Sequence, residues 1–210
     1  MSSMEGLSGI IRQLLSSGKS EKLDAVALHI DKTVNRLNSL LDNLLNWSLS
    51  QINGLHVNSE IIYIKKVVLY SVDIQKSALE AKKITLNVDI DDDLKVFADQ
   101  NMLRTVIRNL ISNSIKFTPS NGFINISASS DNGLVRVSVK DSGIGIPFEK
   151  LNTIFEISST KISAGTDGEK GTGLGLTLCR DFISLNNGDI AIRSENGKGT
   201  EVLFSLPSKQ

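Results

Sequence analysis

Asn109, Asn113 and Lys116 stand four and three residues apart in the stretch Asn109-Leu-Ile-Ser-Asn113-Ser-Ile-Lys116-Phe117-Thr118. At about 100° per residue, a helix places all three on one narrow face. Leu103, Ile107, Leu110 and Ile111 then fall on the opposite side, toward a core. An amide oxygen is a hard, neutral ligand. It suits Mg²⁺ already carried by a triphosphate, because it brings no negative charge against the phosphates. A lysine one turn on acts as a point charge on phosphate oxygens. Two further patterns lie downstream. Asp141-Ser-Gly143-Ile-Gly145-Ile146-Pro147 ends an alternating strand pattern. A carboxylate fixed there can accept the exocyclic amine of adenine, a donor that guanine lacks at that position. Gly171-Thr172-Gly173-Leu174-Gly175-Leu176 opens a helical pattern. Glycine-rich backbone at a helix N-terminus offers free N–H groups to phosphate. Taken singly, each pattern also reads as ordinary structure: a solvated helix face, an Asp-Ser-Gly turn, a glycine-rich loop.

The elements that must position these residues follow from periodicity. Asp99 is a good N-cap for the helix that carries Asn109. Residues 61–81 read as a helix, 84–90 and 94–98 as short strands, and 55–59 as a strand or extended linker. Phe123–Ser129 and Leu134–Lys140 alternate around Asp131-Asn-Gly133, a hairpin signal. A short helix opens at Pro147, a polar glycine-rich loop spans 158–172, and a helix spans 174–185. Strands at 189–194 and 200–206 flank the turn Asn196–Gly199. Helices and antiparallel hairpins without βαβ alternation predict an α+β fold. It is a mixed, mostly antiparallel sheet with helices on one face. Upstream, Leu23, Val26, Ile30, Val34, Leu37, Leu41 and Leu44 form a heptad-like stripe, and Asn53-Gly54 ends it. The expected division is a partial helical hairpin at 1–53, a linker at 54–58 and an α/β sandwich at 59–210.

Composition excludes several classes. The chain has 210 residues, no formal net charge, 40% apolar and 22% charged residues. That is a globular composition without the basic stripe of a nucleic-acid binder or the basic amphipathic helix of a membrane surface. No apolar run is long enough to span a bilayer. The single cysteine, Cys179, excludes an internal disulfide and fits a reducing compartment. The glycine spacing matches neither a P-loop nor a dinucleotide fingerprint.

In order, Asn109–Thr118, Asp141–Pro147, Ile154-Phe155-Glu156 and Gly171–Leu176 resemble the N, G1, F and G2 boxes of sensor histidine kinases. The closing Gly199-Thr200-Glu-Val-Leu-Phe-Ser-Leu-Pro207 is similar to the end of the same catalytic domain. The likeness covers residues 59–207 and implies a Bergerat-type ATPase fold with ATP and Mg²⁺ as cofactors. It implies that Asn113 holds Mg²⁺, with Asn109 and Lys116 helping at the phosphates, that Phe117 is among the ATP-binding residues, and that Asp141 binds the adenine amine. By the same resemblance Thr200 acts nearby through water, and Gly143, Gly145 and Ile146 complete the G1 turn. Phe155 anchors a lid over 156–172, from which Thr160 or Lys161 reaches the nucleotide. Gly171, Thr172, Gly173, Leu174, Gly175 and Leu176 form the glycine-rich phosphate end. The implied partners are a response-regulator receiver domain and a second copy of the chain, joined through the hairpin. No nucleic acid or direct membrane contact is expected of this fragment. The expected location is cytoplasmic, as a free protein or as the cytoplasmic part of a membrane-anchored sensor.

One feature departs from the family pattern. The phosphoacceptor motif is a histidine followed by an acidic residue, with proline five after the histidine. His29 precedes Ile30 and has Val34 at that place; His56 precedes Val57 and has Ile61. The acceptor is therefore expected at or before Met1, and the fragment is expected to bind ATP without phosphorylating itself. The related gyrase-like hydrolases carry a glutamate base four residues before the Mg asparagine. Here that position is Asn109, an amide that cannot serve as a base, which argues against fast hydrolysis. The alternative is a non-catalytic docking or dimerisation module in which nucleotide is only a conformational ligand.

Overall fold

The computed structural model describes residues 57–156, 164–169 and 173–208. All of them belong to the compact unit Trp47–Gln210. The expected hairpin over 1–53 lies outside the described residues, as does most of the linker.

The described elements run β1 (Ser59–Tyr63), α1 (Ile64–Ile74), α2 (Lys76–Ala81), β2 (Thr85–Asp89), β3 (Lys95–Asp99) and α3 (Gln100–Phe117). They continue with β4 (Phe123–Asp131), β5 (Leu134–Asp141), α4 (Phe148–Leu151), α5 (Gly175–Leu185), β6 (Asp189–Glu195) and β7 (Gly199–Pro207). Five strands form one sheet in the order β2-β4-β5-β7-β6. Only the β2–β4 pair is parallel. The chain leaves the sheet after β2, makes β3 and α3, and returns at β4. A crossover of that length permits parallel pairing, whereas two-residue turns impose antiparallel pairing. The mixed, mostly antiparallel sheet with packed helices is the expected architecture.

One expectation is corrected. Residues 61–81 are not a single helix: Ser59–Tyr63 is a strand, and the helix behind it breaks at Gln75. β1 pairs antiparallel with β3, setting buried Ile62 against buried Val96. The apolar spacing of Ile61, Ile62 and Tyr63 fits both periods, and the remote partner strand decides between them.

α3 is the element that orders the site. Met102, Leu103, Val106, Ile107, Leu110, Ile111, Ser114 and Ile115 are buried along one side. Against them the sheet turns its inward rows: Ile124 and Ile126 on β4, Val135, Val137 and Val139 on β5, and Val202, Phe204 and Leu206 on β7. Each such apolar side chain contributes about 1.5–3 kcal/mol when fully buried. The start of α3 is fixed by Asp99, whose Oδ1 accepts from the backbone N–H of Asn101 (2.9 Å) and Met102 (3.1 Å). Its Oδ2 accepts from Asn58 N at 3.1 Å. Asp99→Ala is expected to cost about 1–2 kcal/mol. Thermal unfolding would show a midpoint lowered by about 2–8 °C, while nucleotide affinity, measured at the far end of the helix, stays unchanged.

Among the described residues no helix is long and apolar enough to cross a membrane.

Candidate nucleotide site

The site lies where the inward rows of the sheet stop being apolar. On β5 the row Val135, Val137, Val139 continues at period two to Asp141, which is 6% exposed. On β7 the row Leu206, Phe204, Val202 continues to Thr200, which is paired in register with Asp141. On β6 the row Ile190, Ile192 continues to Ser194, paired with Thr200. Facing them on α3, the buried stripe that includes Leu110 continues one turn later to buried Ser114. Buried Asp141 and Ser114 and half-buried Thr200 and Ser194 thus make the end of the apolar rows polar. A cavity of about 280 Å³ opens beside them, lined among others by Asn113, Phe117, Asp141, Gly145, Ile146, Leu176 and Thr200. That is near the lower end of the range for small-molecule pockets.

The Asp141 carboxylate is held by backbone N–H groups of two other residues. Its Oδ1 accepts from Gly143 N at 2.9 Å and from Thr200 N at 3.1 Å. Burial raises its carboxyl above the ordinary aspartate range. The N–H groups of Gly143 and Thr200 and the Ser114 hydroxyl pull it back without cancelling the shift. A carboxylate offers about four acceptor positions. Two are occupied by the Gly143 and Thr200 N–H groups, which leaves acceptor capacity for a donor entering the cavity.

The turn after Asp141 is stitched to three elements. Ile144 N donates to Phe117 O at the end of α3 (3.1 Å), and Gly197 N in the β6–β7 turn donates to Ile144 O (2.7 Å). Ile146 N donates to Ser194 Oγ at 2.8 Å. Ser194 Oγ in turn donates to Gly199 O (2.8 Å) and lies 2.9 Å from Thr200 Oγ1. Gly145 has φ +67°, and a Cβ there would run into the carbonyl of Glu195. Only glycine lets the turn pass this close to the end of β6.

On the side of the cavity formed by α3 and α5, Asn109 is packed against the first turn of α5. A Cβ added to Gly175 would sit 3.7 Å from Asn109 Cγ. Asn109 Nδ2 is buried without a geometrically good acceptor, although it lies near enough to Cys179 to favour the thiolate. Burial still dominates at Cys179 and pushes its thiol up to about 12, so the sulfur is inert packing. Lys116 folds over the Phe117 ring at 4.6 Å. Phe155 is tied to α5 twice: its carbonyl accepts from Thr177 Oγ1 at 3.0 Å, and the Arg180 guanidinium lies 6.0 Å from its ring centre. Gly173 adopts φ +76° just ahead of α5, and Leu174 O accepts the first helical hydrogen bond, from Leu178 N. Thr160, Lys161, Gly171 and Thr172 lie outside the described residues.

These residues fit an adenine nucleotide in donor chemistry. A mostly apolar cavity carries one backed carboxylate and is lined on α3 by Asn113, while Asn109 and Lys116 of the same helix lie outside its lining. Among the described residues no cluster of His, Cys, Asp or Glu could hold a metal by itself. A cation here would need phosphate oxygens beside a neutral amide such as Asn113.

Residues 98–210 match the family described as histidine kinase-, DNA gyrase B- and HSP90-like ATPases. The chain belongs to this ATPase family. Several of its relatives are named as sensor or sensory kinases. The sensor histidine kinase WalK of Bacillus subtilis (strain 168) is 31% identical over 203 residues, covering 94% of this chain and 33% of that protein. The adaptive-response sensory kinase SasA of Synechocystis sp. is 33% identical over 173 residues, covering 81% of this chain and 45% of that protein. The chain therefore spans between a third and a half of these curated relatives. The nucleotide-free catalytic domain of histidine kinase ThkA superposes with a TM-score of 0.64 at 29% identity, covering 72% of this chain and 96% of that one. ThkA solved in complex with response regulator protein TrrA shares the fold at a TM-score of 0.71 and 23% identity, covering 98% of this chain and 57% of that one.

Sequence reasoning missed Ser114 and Ser194, which position Asp141 and the turn after it. Both carried a signal: each is a polar residue at the next step of an apolar row, Leu110 to Ser114 at four and Ile192 to Ser194 at two.

Proposed function

We propose that this chain is the ATP-binding catalytic core of a two-component sensor histidine kinase. In the whole protein it presents the γ-phosphate of Mg-ATP to a histidine, for relay to a response-regulator receiver. The observation that carries the reading is Asp141: a buried carboxylate braced by two backbone N–H groups, with acceptor capacity left toward a cavity that Asn113 also lines. Asp141 accepts the adenine amine and sets base choice. Asn113 holds Mg²⁺, and Asn109 and Lys116 stand by the phosphates. Bound Mg²⁺ supplies charge neutralisation on the phosphoryl group. The protein supplies placement, which for phosphoryl transfer is most of the catalysis. The sequence further supports a hairpin module at 1–53 that forms a homodimer, and a cytoplasmic location. The relatives' names and the ThkA–TrrA complex support the receiver as partner.

The test is titration of the 210-residue chain with a fluorescent ATP analogue, with and without Mg²⁺. Saturable binding strengthened by Mg²⁺ is expected. Asn113→Ala should lose that strengthening, weakening Mg-ATP by roughly tenfold or more. A separately supplied helical hairpin bearing a histidine, a following acidic residue and proline at plus five should then become labelled from γ-labelled ATP. Binding without transfer would favour the docking-module reading; absence of binding would overturn both.

A further inference from the structure

Lys82 follows α2 and is far from the cavity in sequence, yet its side chain is only 6% exposed. A buried ammonium is costly unless every donor is met and the charge is balanced. Here the acceptors come from two places. Ile115 O (3.0 Å) and Lys116 O (3.2 Å) are carbonyls of the last turn of α3, and Thr118 O lies at 3.5 Å. These are the carbonyls a helix leaves unsatisfied at its negative end. The other acceptors belong to segment 164–169: Thr166 Oγ1 at 2.7 Å, Glu169 Oε1 at 2.8 Å and, more distantly, Asp167 Oδ2 at 3.8 Å. The segment is shaped around this charge. Gly165 N donates to Glu169 O at 2.8 Å and Asp167 N to Glu169 Oε2 at 2.9 Å. Thr166 N donates to Lys116 O at 3.0 Å, and the Thr166 hydroxyl lies within reach of the carbonyls of Lys116 and Thr118. Burial pushes the Glu169 carboxyl up, but Lys82 and backbone N–H groups outweigh it and hold the group below the ordinary glutamate range.

One cation therefore joins a polar surface segment to the turn of α3 that carries Lys116 and Phe117. We propose that Lys82 is a positioning residue for the triphosphate half of the ligand, fastening segment 164–169 to the C-terminal turn of α3 so that this turn stays in register with the cavity. The inference rests on the adenine-nucleotide reading above. It assigns Lys82 no contact with the nucleotide; it acts through the backbone of residues 115–118. The base half is read at Asp141, whose carboxylate is braced directly by Gly143 N and Thr200 N; the turn after it meets residues 115–118 through the backbone bond from Ile144 N to Phe117 O. Loosening the clasp should therefore separate the two halves of recognition.

The experiment compares the full chain with Lys82→Met and with the double variant Asp167→Asn/Glu169→Gln, which alters only the more exposed side of the clasp and leaves the core intact. Affinity for an Mg-ATP analogue and for adenosine is measured for each. The expected result is a loss of about tenfold for Mg-ATP in both variants, with adenosine affinity unchanged. Combining Lys82→Met with Glu169→Gln should add little, because both remove the same contact. Amide exchange at Gly165 and Gly168 should accelerate in both variants. Equal losses for Mg-ATP and adenosine, or a lower melting temperature with unchanged affinities, would overturn the proposal and leave Lys82 a stabilising cap. If the wild type binds neither ligand, the nucleotide reading is at fault and the inference falls with it. If the wild type binds both and the variants match it, the inference alone falls.

Discussion

Asp141→Asn is expected to weaken ATP binding by about 2–3 kcal/mol, roughly 30- to 150-fold, without unfolding the domain. The substitution is isosteric. Its amide oxygen can still accept from Gly143 N and Thr200 N, which hold the present carboxylate at 2.9 and 3.1 Å. Its NH₂ group, however, then faces the cavity, and an adenine amine meets a donor instead of an acceptor. The stability effect has the opposite sign. Burial raises the Asp141 carboxyl above its ordinary range, so the charged form is a net cost to the folded state. That cost is fully present above the folded pKa and shrinks as pH falls through it, because the folded state holds the proton more tightly than the unfolded chain. Asp141→Asn should therefore melt at the same temperature as the wild type or higher at neutral pH. For ligand binding the sign follows from the same group. The adenine amine needs the carboxylate, so affinity should fall as pH drops through the raised pKa, and binding should release protons. The pH dependence should flatten in Asp141→Asn. Calorimetric titration of both proteins in buffers of different ionisation enthalpy measures affinity and proton release together.

Gly199→Ala should cost about 3 kcal/mol or more of stability. Gly199 has φ +95°, and a Cβ there would overlap the backbone carbonyl of Asp141. Two costs add. The conformation itself disfavours any side chain, and relief of the clash must move the start of β7 away from the end of β5. That movement would break the pairing Asp141↔Thr200 and the Thr200 N–H that braces Asp141. The melting temperature should fall by about 6–12 °C, and nucleotide binding should be lost along with it. Gly197→Ala is the control. It lies in the same turn with φ +79°, but a Cβ there meets nothing. It should cost only about 1 kcal/mol and spare binding.

The α3 face, the hairpin at Asp131–Gly133, the Asp99 cap and the strands flanking Asn196–Gly199 were all legible in the sequence. Each is specified locally, by helical or alternating periodicity and by turn residues. The strand at Ser59–Tyr63 was not, because its state is set by β3, more than thirty residues away in sequence. At the site, chemistry-bearing residues announced themselves by type: Asp141, Asn113, Asn109 and the glycines. Residues that hold them in place did not. Ser194 is an ordinary strand serine until β6, β7 and the turn at Ile146 are brought together. Lys82 reads as a surface lysine beside Lys83, and only the fold delivers to it the carbonyls of α3 and the acids of 164–169. Positioning contacts are long-range, and a single sequence records them only as a polar residue interrupting an apolar row.

The cavity at the end of the sheet is proposed to select an adenine nucleotide through Asp141. Isothermal titration of the 210-residue chain with Mg-ATP and, in parallel, with Mg-GTP tests it most directly. Saturable one-to-one binding of Mg-ATP is expected, with at least roughly tenfold weaker binding of Mg-GTP, whose base presents a carbonyl where adenine presents its amine. Equal affinity for the two would contradict base reading by Asp141, and no heat of binding from either would contradict the nucleotide site itself.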